Sequence, residues 1–349
     1  MPVRKKLRIG VIGLGWPGQM HSGAIVRNTG TVLSAVSDLS DKRRAEFVSE
    51  FPVKRQYADY GELLADPGVD AVIVALPNFL HARVTLEALR AGKHVLCEKP
   101  PTMNLDEMVL IREEAEKRGL VYAFGRQNRF TGPLLAARKA IEAGRLGEIY
   151  YAKTWWYRSR GIPMGFDAWF TDKSRSGGGA IIDLGIHALD NSWYLMGAPR
   201  PLSVSAQVFQ KFTQLVPENV HNDVEDCGFA FIKFENGAVI SLETTWAANL
   251  PPSMVEGWNG TQSSLLFGTK ASLSTHPLRI FTDRGSKVSD ARLASKQTDR
   301  FLLQLQDFAR AIETGGQPTN SVRQALDLMR MLDAIYQSSE TGREVRIAR

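Results

Sequence analysis

The sequence predicts a two-domain α/β protein. Residues 1–128 read as a doubly wound parallel sheet, and residues 129–349 as a second α/β domain with a largely antiparallel, open sheet. Three observations carry this prediction. The chain has 349 residues, more than one compact core serves. Apolar β-type runs alternate with helical stretches through the first third, the pattern of a parallel sheet with crossover helices. Past Arg129 the alternation gives way to longer strand-like runs separated by turn signals.

The elements justify this in order. LRIGVI (7–12) is a short apolar strand, and Gly13, Gly15 and Gly18 follow it in G-x-G-x-x-G spacing at the head of a helical segment. That spacing suits a dinucleotide: a tight turn at Gly13, room for the pyrophosphate at Gly15, and close packing of helix on strand at Gly18. The free N–H groups of the helix start then face the phosphates, with Trp16 inside the loop packing near them. TVLSAVSD (31–38) is the second strand, and Asp38 lies about 20 residues past Gly18, where an acid accepts from the adenosine ribose hydroxyls. These features predict a Rossmann-type NAD-binding domain. Asp38 repels a 2′-phosphate, whereas Ser37, Lys42, Arg43 and Arg44 would accommodate one, so NADP stays open beside NAD. Further strands are expected at VDAVIVALP (69–77), KHVLCEKP (93–100) and GLVYAFG (119–125), separated by DKRRAEFVSEF, HARVTLEALRAG and LDEMVLIREEAEKRG as helices.

Ligands of such sheets bind beyond the carboxyl ends of the strands. HVLCE runs into Lys99, Pro100 and Pro101 at that edge, and a residue before proline is held extended. Lys99 is thereby expected to meet both cofactor and substrate, hydrogen-bonding a hydroxyl and relaying protons. Glu98 beside it is an expected cofactor contact. His94, Cys97 and Glu98 do not make a metal site, because alternation splits them between the two faces of a strand, and no metal is expected.

In the second domain, TGPLLAARKAIEAGRLG reads as a helix and EIYYAKTWWYR as a strand. FENGAV holds Asn236–Gly237, a strong hairpin signal, after which Ile240, Leu242 and Trp246 fall on one face and Ser241, Glu243 and Thr245 on the other. GGGAIIDLGIHALD leads into a helix expected over 179–196. There Asp183, His187, Asp190 and Asn191 share a polar stripe on an otherwise apolar element. With that stripe turned to a nicotinamide, His187 would take the proton of a substrate hydroxyl while hydride leaves for the ring, and Asp183 would bind a neighbouring hydroxyl. The alternative is an Asp–His contact that stabilises the helix. Six of the seven tryptophans (Trp155, Trp156, Trp169, Trp193, Trp246 and Trp258) lie between residues 150 and 260. Trp169 is an expected sugar-face contact, the others mostly core. Arg158, Arg160 and Arg175 flank RGIPMGFDAWFTDKS, a loop that either closes over substrate, with Arg158 touching it, or stays solvated.

The glycine fingerprint, PNFLH, AGKHVLCEKP and GGGAIIDLGIHALD together resemble the Gfo/Idh/MocA oxidoreductases, and the likeness extends to the C-terminal DFARAIETGGQP and AIYQSSETGREV. The resemblance implies an NAD(P)-dependent sugar or inositol dehydrogenase, with Lys99, Asp183 and His187 at catalytic positions and Asn78 near the nicotinamide ribose. It also implies a homo-oligomer, dimer or tetramer, with contacts on the open sheet. Two other outcomes remain compatible with it: an NAD-dependent glycosidase or lyase working by transient redox, and a catalytically silent NAD-sensing binding protein.

Composition excludes other classes. A net charge of +6 without a basic tract argues against nucleic-acid binding. Two cysteines, Cys97 and Cys227, build no disulfide framework. The first apolar run is broken by glycines before it resembles a signal peptide, and no stretch is long enough to span a bilayer. A cytoplasmic location is expected.

Overall fold

The computed structural model describes residues 6–251, 253–255, 260–283, 285 and 287–348. Two compact units emerge, Met1–Phe130 with Asp299–Leu326, and Thr131–Thr298 with Asp327–Arg349.

The first unit alternates as the sequence predicts: β1 (Leu7–Ile12), α1 (Trp16–Arg27), β2 (Thr31–Ser37), α2 (Asp41–Glu50), β3 (Arg55–Tyr57), α3 (Tyr60–Ala65), β4 (Ala71–Val74), α4 (Asn78–Arg90), β5 (His94–Cys97), α5 (Leu105–Arg118) and β6 (Tyr122–Phe124). Its strands pair in parallel in the order β3-β2-β1-β4-β5-β6. The order reverses direction at β1 and β4, the switch point of a doubly wound sheet. Local chemistry sets the helix ends. In α5, Asn104 Oδ1 accepts the Glu107 N–H, Asp106 and Glu107 occupy the first turn, Lys117 and Arg118 the last, and Gly119 ends the helix in a left-handed conformation. β4 is buried along its whole length, as a central parallel strand requires. β3 and α3 were not expected from the sequence; β3 is a three-residue edge strand with no buried position, so it carries no apolar pattern to read.

The second unit contains α6 (Gly132–Glu142), β7 (Ile149–Tyr157), α7 (Lys173–Ser176), a π-helical turn at Ile181–Gly185 continuing into α8 (Ile186–Leu195), then β8 (Pro201–Phe209), β9 (Cys227–Phe234), β10 (Val239–Thr245), β11 (Thr261–Gly268), β12 (Ala271–Thr275), β13 (Leu278–Asp283) and β14 (Val288–Arg292). Helices α9 (Arg300–Thr314) and α10 (Val322–Thr341) and strand β15 (Val345–Arg346) close the chain. Among the described residues the second sheet runs β14-β13-β12-β11-β7-β10-β9-β8-β15. It is antiparallel except where β7 meets β10. The Asn236–Gly237 turn joins β9 to β10, pairing Val239 with Lys233 and Ile240 with Ile232. Ile240 and Leu242 are fully buried beneath α8, while Phe229 and Phe231 of β9 stand about two-fifths exposed on the opposite face.

Residues 299–326 fall in the expected second domain but pack with the first unit. The reason is apolar burial: Phe301, Leu305 and Phe308 of α9 share a core with Ile9, Val11, Ala24 and Ile25.

Candidate active site

The carboxyl edge of the first sheet gathers the nucleotide-type residues. Gly13 has φ of +92°, and a Cβ there would lie 2.4 Å from the Ala75 carbonyl oxygen. A Cβ on Gly18 would meet the Gly13 carbonyl oxygen at 2.0 Å, so helix and strand pack at a distance only glycine allows. At Gly15 the nearest atom to such a Cβ is 3.9 Å away, leaving the open approach a pyrophosphate needs. These three environments fit a dinucleotide, which the loop and the α1 N-terminus would hold through backbone N–H groups. Trp16 is more than half exposed and meets Phe301 edge-on, with ring centroids 6.0 Å apart.

Asp38 follows β2, and its carboxylate does more than the sequence suggested. Oδ2 accepts the Leu14 N–H at 3.0 Å and Oδ1 the Ser40 N–H at 2.9 Å, tying the glycine loop to the end of β2. Each oxygen keeps acceptor capacity for a further donor. Arg43 Nη1 stands 3.7 Å from Oδ2 and Arg44 donates to the Asp38 carbonyl oxygen, so both arginines gather here rather than only dressing the helix surface.

Asn78 opens α4 and is buried. Glu98 and Lys99 leave β5 at the same edge. Glu98 is buried, yet its carboxyl is held below the usual range: burial pushes it up, and the hydrogen bond from His21 at 2.8 Å and the Lys99 N–H outweigh that. Cys97 is buried, which pushes its thiol far above the usual range.

In the second unit, Asp183 sits in the π-helical turn rather than in a regular α-helix, so the expected 3.6-residue spacing does not hold across 181–185. Such turns replace the i→i+4 ladder with longer bonds and recur at functional sites. Asp183 Oδ2 accepts Trp246 Nε1–H at 3.0 Å, and Arg158 Nη1 lies 3.9 Å away. His187 is buried on α8, edge-on to Trp156 with centroids 5.3 Å apart. Asp190 and Asn191 are buried too, so the expected polar stripe faces protein along most of its length.

Arg158 is not solvated. Its side chain is 11% exposed, and burial lowers its pKa against the opposing pull of Asp183. Its buried Nε has no hydrogen-bond partner among the described residues. Arg160 is exposed, and Arg175 pairs with Asp167. Trp169 is buried against Phe170, with ring centroids 4.0 Å apart. Trp193 is core, its Nε1–H donating to the Pro199 carbonyl. Trp155 lies on the other face of the sheet from Trp156, lining a groove with Tyr157 and Phe229. Trp258 lies outside the described residues.

Three features here escape sequence reasoning. Trp246 meets Asp183 across 63 positions of sequence. Glu225 accepts the N–H groups of Gly179 and Ile181 and the Tyr336 hydroxyl, capping the turn that carries Asp183. His21 and His81 are both buried against the carboxyl edge of the first sheet. His81 reads from the sequence as a residue at that edge or a helix-side spectator, and only its two carbonyl contacts are new; for His21 the available signal was its place three residues past Gly18.

Comparison with known proteins bears on this arrangement. The profile of the Gfo/Idh/MocA oxidoreductase family, NAD-binding Rossmann fold, matches residues 7–126, and that of the family's C-terminal α/β domain matches residues 138–347. D-glucoside 3-dehydrogenase of Escherichia coli (strain K12) is 30% identical over 98% of this chain and 97% of its own. Myo-inositol 2-dehydrogenase of Thermotoga maritima is 28% identical over 98% of each chain. The structure of levoglucosan dehydrogenase in complex with NADH and levoglucosan shares the fold, with a TM-score of 0.86, 24% identity, and coverage of 99% of this chain and 100% of that one. With both halves of its fold matched in order and a relative at this identity spanning nearly its whole length, the chain belongs to the Gfo/Idh/MocA oxidoreductase family, an NAD-binding family of enzymes.

Proposed function

We propose that this enzyme oxidises a secondary alcohol of a sugar, sugar derivative or cyclitol with NAD, without a metal, and that Lys99, Asp183 and His187 act on that one substrate. The observation that carries the reading is the setting of Asp183 and His187. A carboxylate and an imidazole are embedded in an apolar helix, with Trp246, Arg158 and Trp156 built around them. Burying such groups costs free energy that a purely structural helix contact need not incur.

When bound, NAD supplies a hydride acceptor at its nicotinamide ring. His187 takes the hydroxyl proton, imidazole being the side chain suited to acid–base work around neutrality. Asp183 accepts a hydrogen bond from a neighbouring hydroxyl, with Trp246 and Arg158 holding its carboxylate in place. Lys99 donates to the reacting oxygen, and Trp169 offers an aromatic face to the sugar C–H bonds. Gly13, Gly15, Gly18, Trp16, Asp38 and Asn78 hold the dinucleotide. The names of the relatives, a glucoside and an inositol dehydrogenase, support the substrate class. We also propose a cytoplasmic homo-oligomer.

The test is a screen of inositols, hexoses, glucosides and anhydro-sugars with NAD and NADP, following the near-ultraviolet absorbance of the reduced nicotinamide. Reduction by at least one cyclic polyol is expected. A protein that binds NADH yet reduces neither cofactor with any of them would refute the reading.

A further inference from the structure

Lys99 leaves β5 on a tripeptide that is braced on both sides, and each brace ends on a buried histidine outside the roles proposed above. On one side, Glu98 turns its carboxylate inward. Oε2 accepts the Lys99 N–H at 3.1 Å, and Oε1 is 2.8 Å from Nε2 of His21. His21 is 1% exposed and stands in α1, three residues past the last glycine of the fingerprint. On the other side, Nδ1 of His81 is 2.6 Å from the Pro100 carbonyl oxygen, and its Nε2 is 2.7 Å from the carbonyl oxygen of Leu76. His81 is likewise 1% exposed, in the first turn of α4, and Leu76 precedes the Pro77–Asn78 turn.

We infer that His21 and His81 are positioning residues that fix the Glu98–Lys99–Pro100 tripeptide, tying the placement of the Lys99 ammonium to the fingerprint helix and to the Asn78 turn. The physical grounds are three. Glu98 lies close against the Gly125 backbone, where a Cβ would come within 2.8 Å of Oε2, so only glycine leaves the carboxylate its inward position. Its carboxylate is ionised, so His21 Nε2 is the donor, and a charge-assisted bond in a dry setting is strong and directional. Both Pro100 and Leu76 present carbonyls, which only accept, and burial lowers the His81 pKa, so the neutral ring donates to one of them and packs against the other. Whichever nitrogen of His81 carries the proton, its ring fills the space between the two turns. Neither ring is given a part in binding or proton transfer, so their effect on turnover runs through Lys99. The catalytic half of this inference rests on the function proposed above; the placement half does not.

The test uses the full chain and the variants His21→Phe and His81→Phe, which keep ring volume and remove the nitrogens. His21→Gln and His81→Asn each restore a donor near the lost one. The first readout needs no turnover. Lysines are reductively methylated with carbon-13, the Lys99 resonance is assigned by its loss in Lys99→Arg, and its position at fixed pH is compared among variants. It is expected to move in both phenylalanine variants and to return toward the native position in His21→Gln and His81→Asn. It should stay in place in His94→Phe, a histidine at the opposite end of β5.

The second readout is kinetic. A fall in kcat of about tenfold or more is expected at unchanged NADH affinity, as a small misplacement produces. In a Lys99→Ala background, adding His21→Phe should cost little more, because residues acting through one another are not additive. If a phenylalanine variant fails to fold, the amide variants carry the same comparison against wild type. A Lys99 resonance that ignores both histidines overturns the inference, and so does full additivity with Lys99→Ala. If the wild-type enzyme reduces NAD with no polyol, the functional reading fails while the resonance still decides the placement.

Discussion

Asp38 carries two duties, and substituting it separates them. Its oxygens hold the Leu14 and Ser40 N–H groups, and Arg43 Nη1 stands 3.7 Å from Oδ2. Asp38→Ser removes the charge that repels a 2′-phosphate but also takes an acceptor from the glycine loop. The expected outcome is a ratio of kcat/KM for NADP over NAD at least about tenfold higher, about 1.4 kcal/mol of discrimination, together with weaker use of NAD. An unchanged ratio in steady-state assays with both cofactors would rule this out. At the proposed chemistry, Lys99→Ala and His187→Ala should each lower turnover by about 10²-fold or more, the scale of lost acid–base help. NADH affinity, read by fluorescence titration, should persist; near-native turnover in both variants would remove them from the site. The sequence displays these candidates openly: glycines at fixed spacing, an acid after the second strand, a lysine before proline, and two polar groups in an apolar run. The contacts of Trp246 and Arg158 with Asp183 were not legible: Arg158 was expected at substrate, but nothing in a linear pattern says which distant side chain will meet Asp183.

The elements most readable in the sequence are those whose own residues determine them. α5 announces both ends with Asn104 and Gly119, and the β9–β10 hairpin is set by Asn236–Gly237. The π-helical turn was hidden because its cause lies elsewhere. Glu225, 44 residues beyond Ile181 in the chain, takes the N–H groups of Gly179 and Ile181 with one carboxylate, and the Ala180 N–H goes to the Glu225 carbonyl. Glu225→Ala leaves buried donors unmatched and is expected to lower stability by about 2 kcal/mol or more in urea melts. Burial raises the Glu225 pKa, against the lowering effect of its backbone and Tyr336 hydrogen bonds. An acid raised in the folded state favours folding while protonated, and that contribution is lost as pH climbs through the folded pKa. The stability of wild type relative to Glu225→Gln should therefore decline from acid pH toward neutrality. A difference that grows with pH over the same range would show the carboxylate bonds outweighing burial.

Across the whole molecule, the change of pattern near Arg129 lies beside the boundary between the two compact units, whereas nothing in the pattern marks the return of residues 299–326 to the first unit. An amphipathic helix such as α9 shows that it will bury a face but not against which sheet. The same gap concerns the open face of the second sheet. Trp155, Tyr157, Phe229, Leu265 and Met254 line an apolar groove of about 760 Å³ there, and Phe229 and Phe231 stand 43% and 42% exposed. Soluble monomers seldom leave so continuous an apolar patch in water, and covering it with a second copy removes the cost. The proposed homo-oligomer is accordingly expected to use this face. Phe229→Glu with Phe231→Glu places two carboxylates where apolar contact is expected, on side chains that do not contribute to the buried core, so each unit should still fold. Light scattering coupled to size-exclusion chromatography should give a dimer or tetramer for the wild type and a smaller species for the double variant, with unchanged circular dichroism. A wild type that is monomeric at micromolar concentration sinks the oligomer. An oligomer indifferent to both glutamates instead moves its interface to another surface.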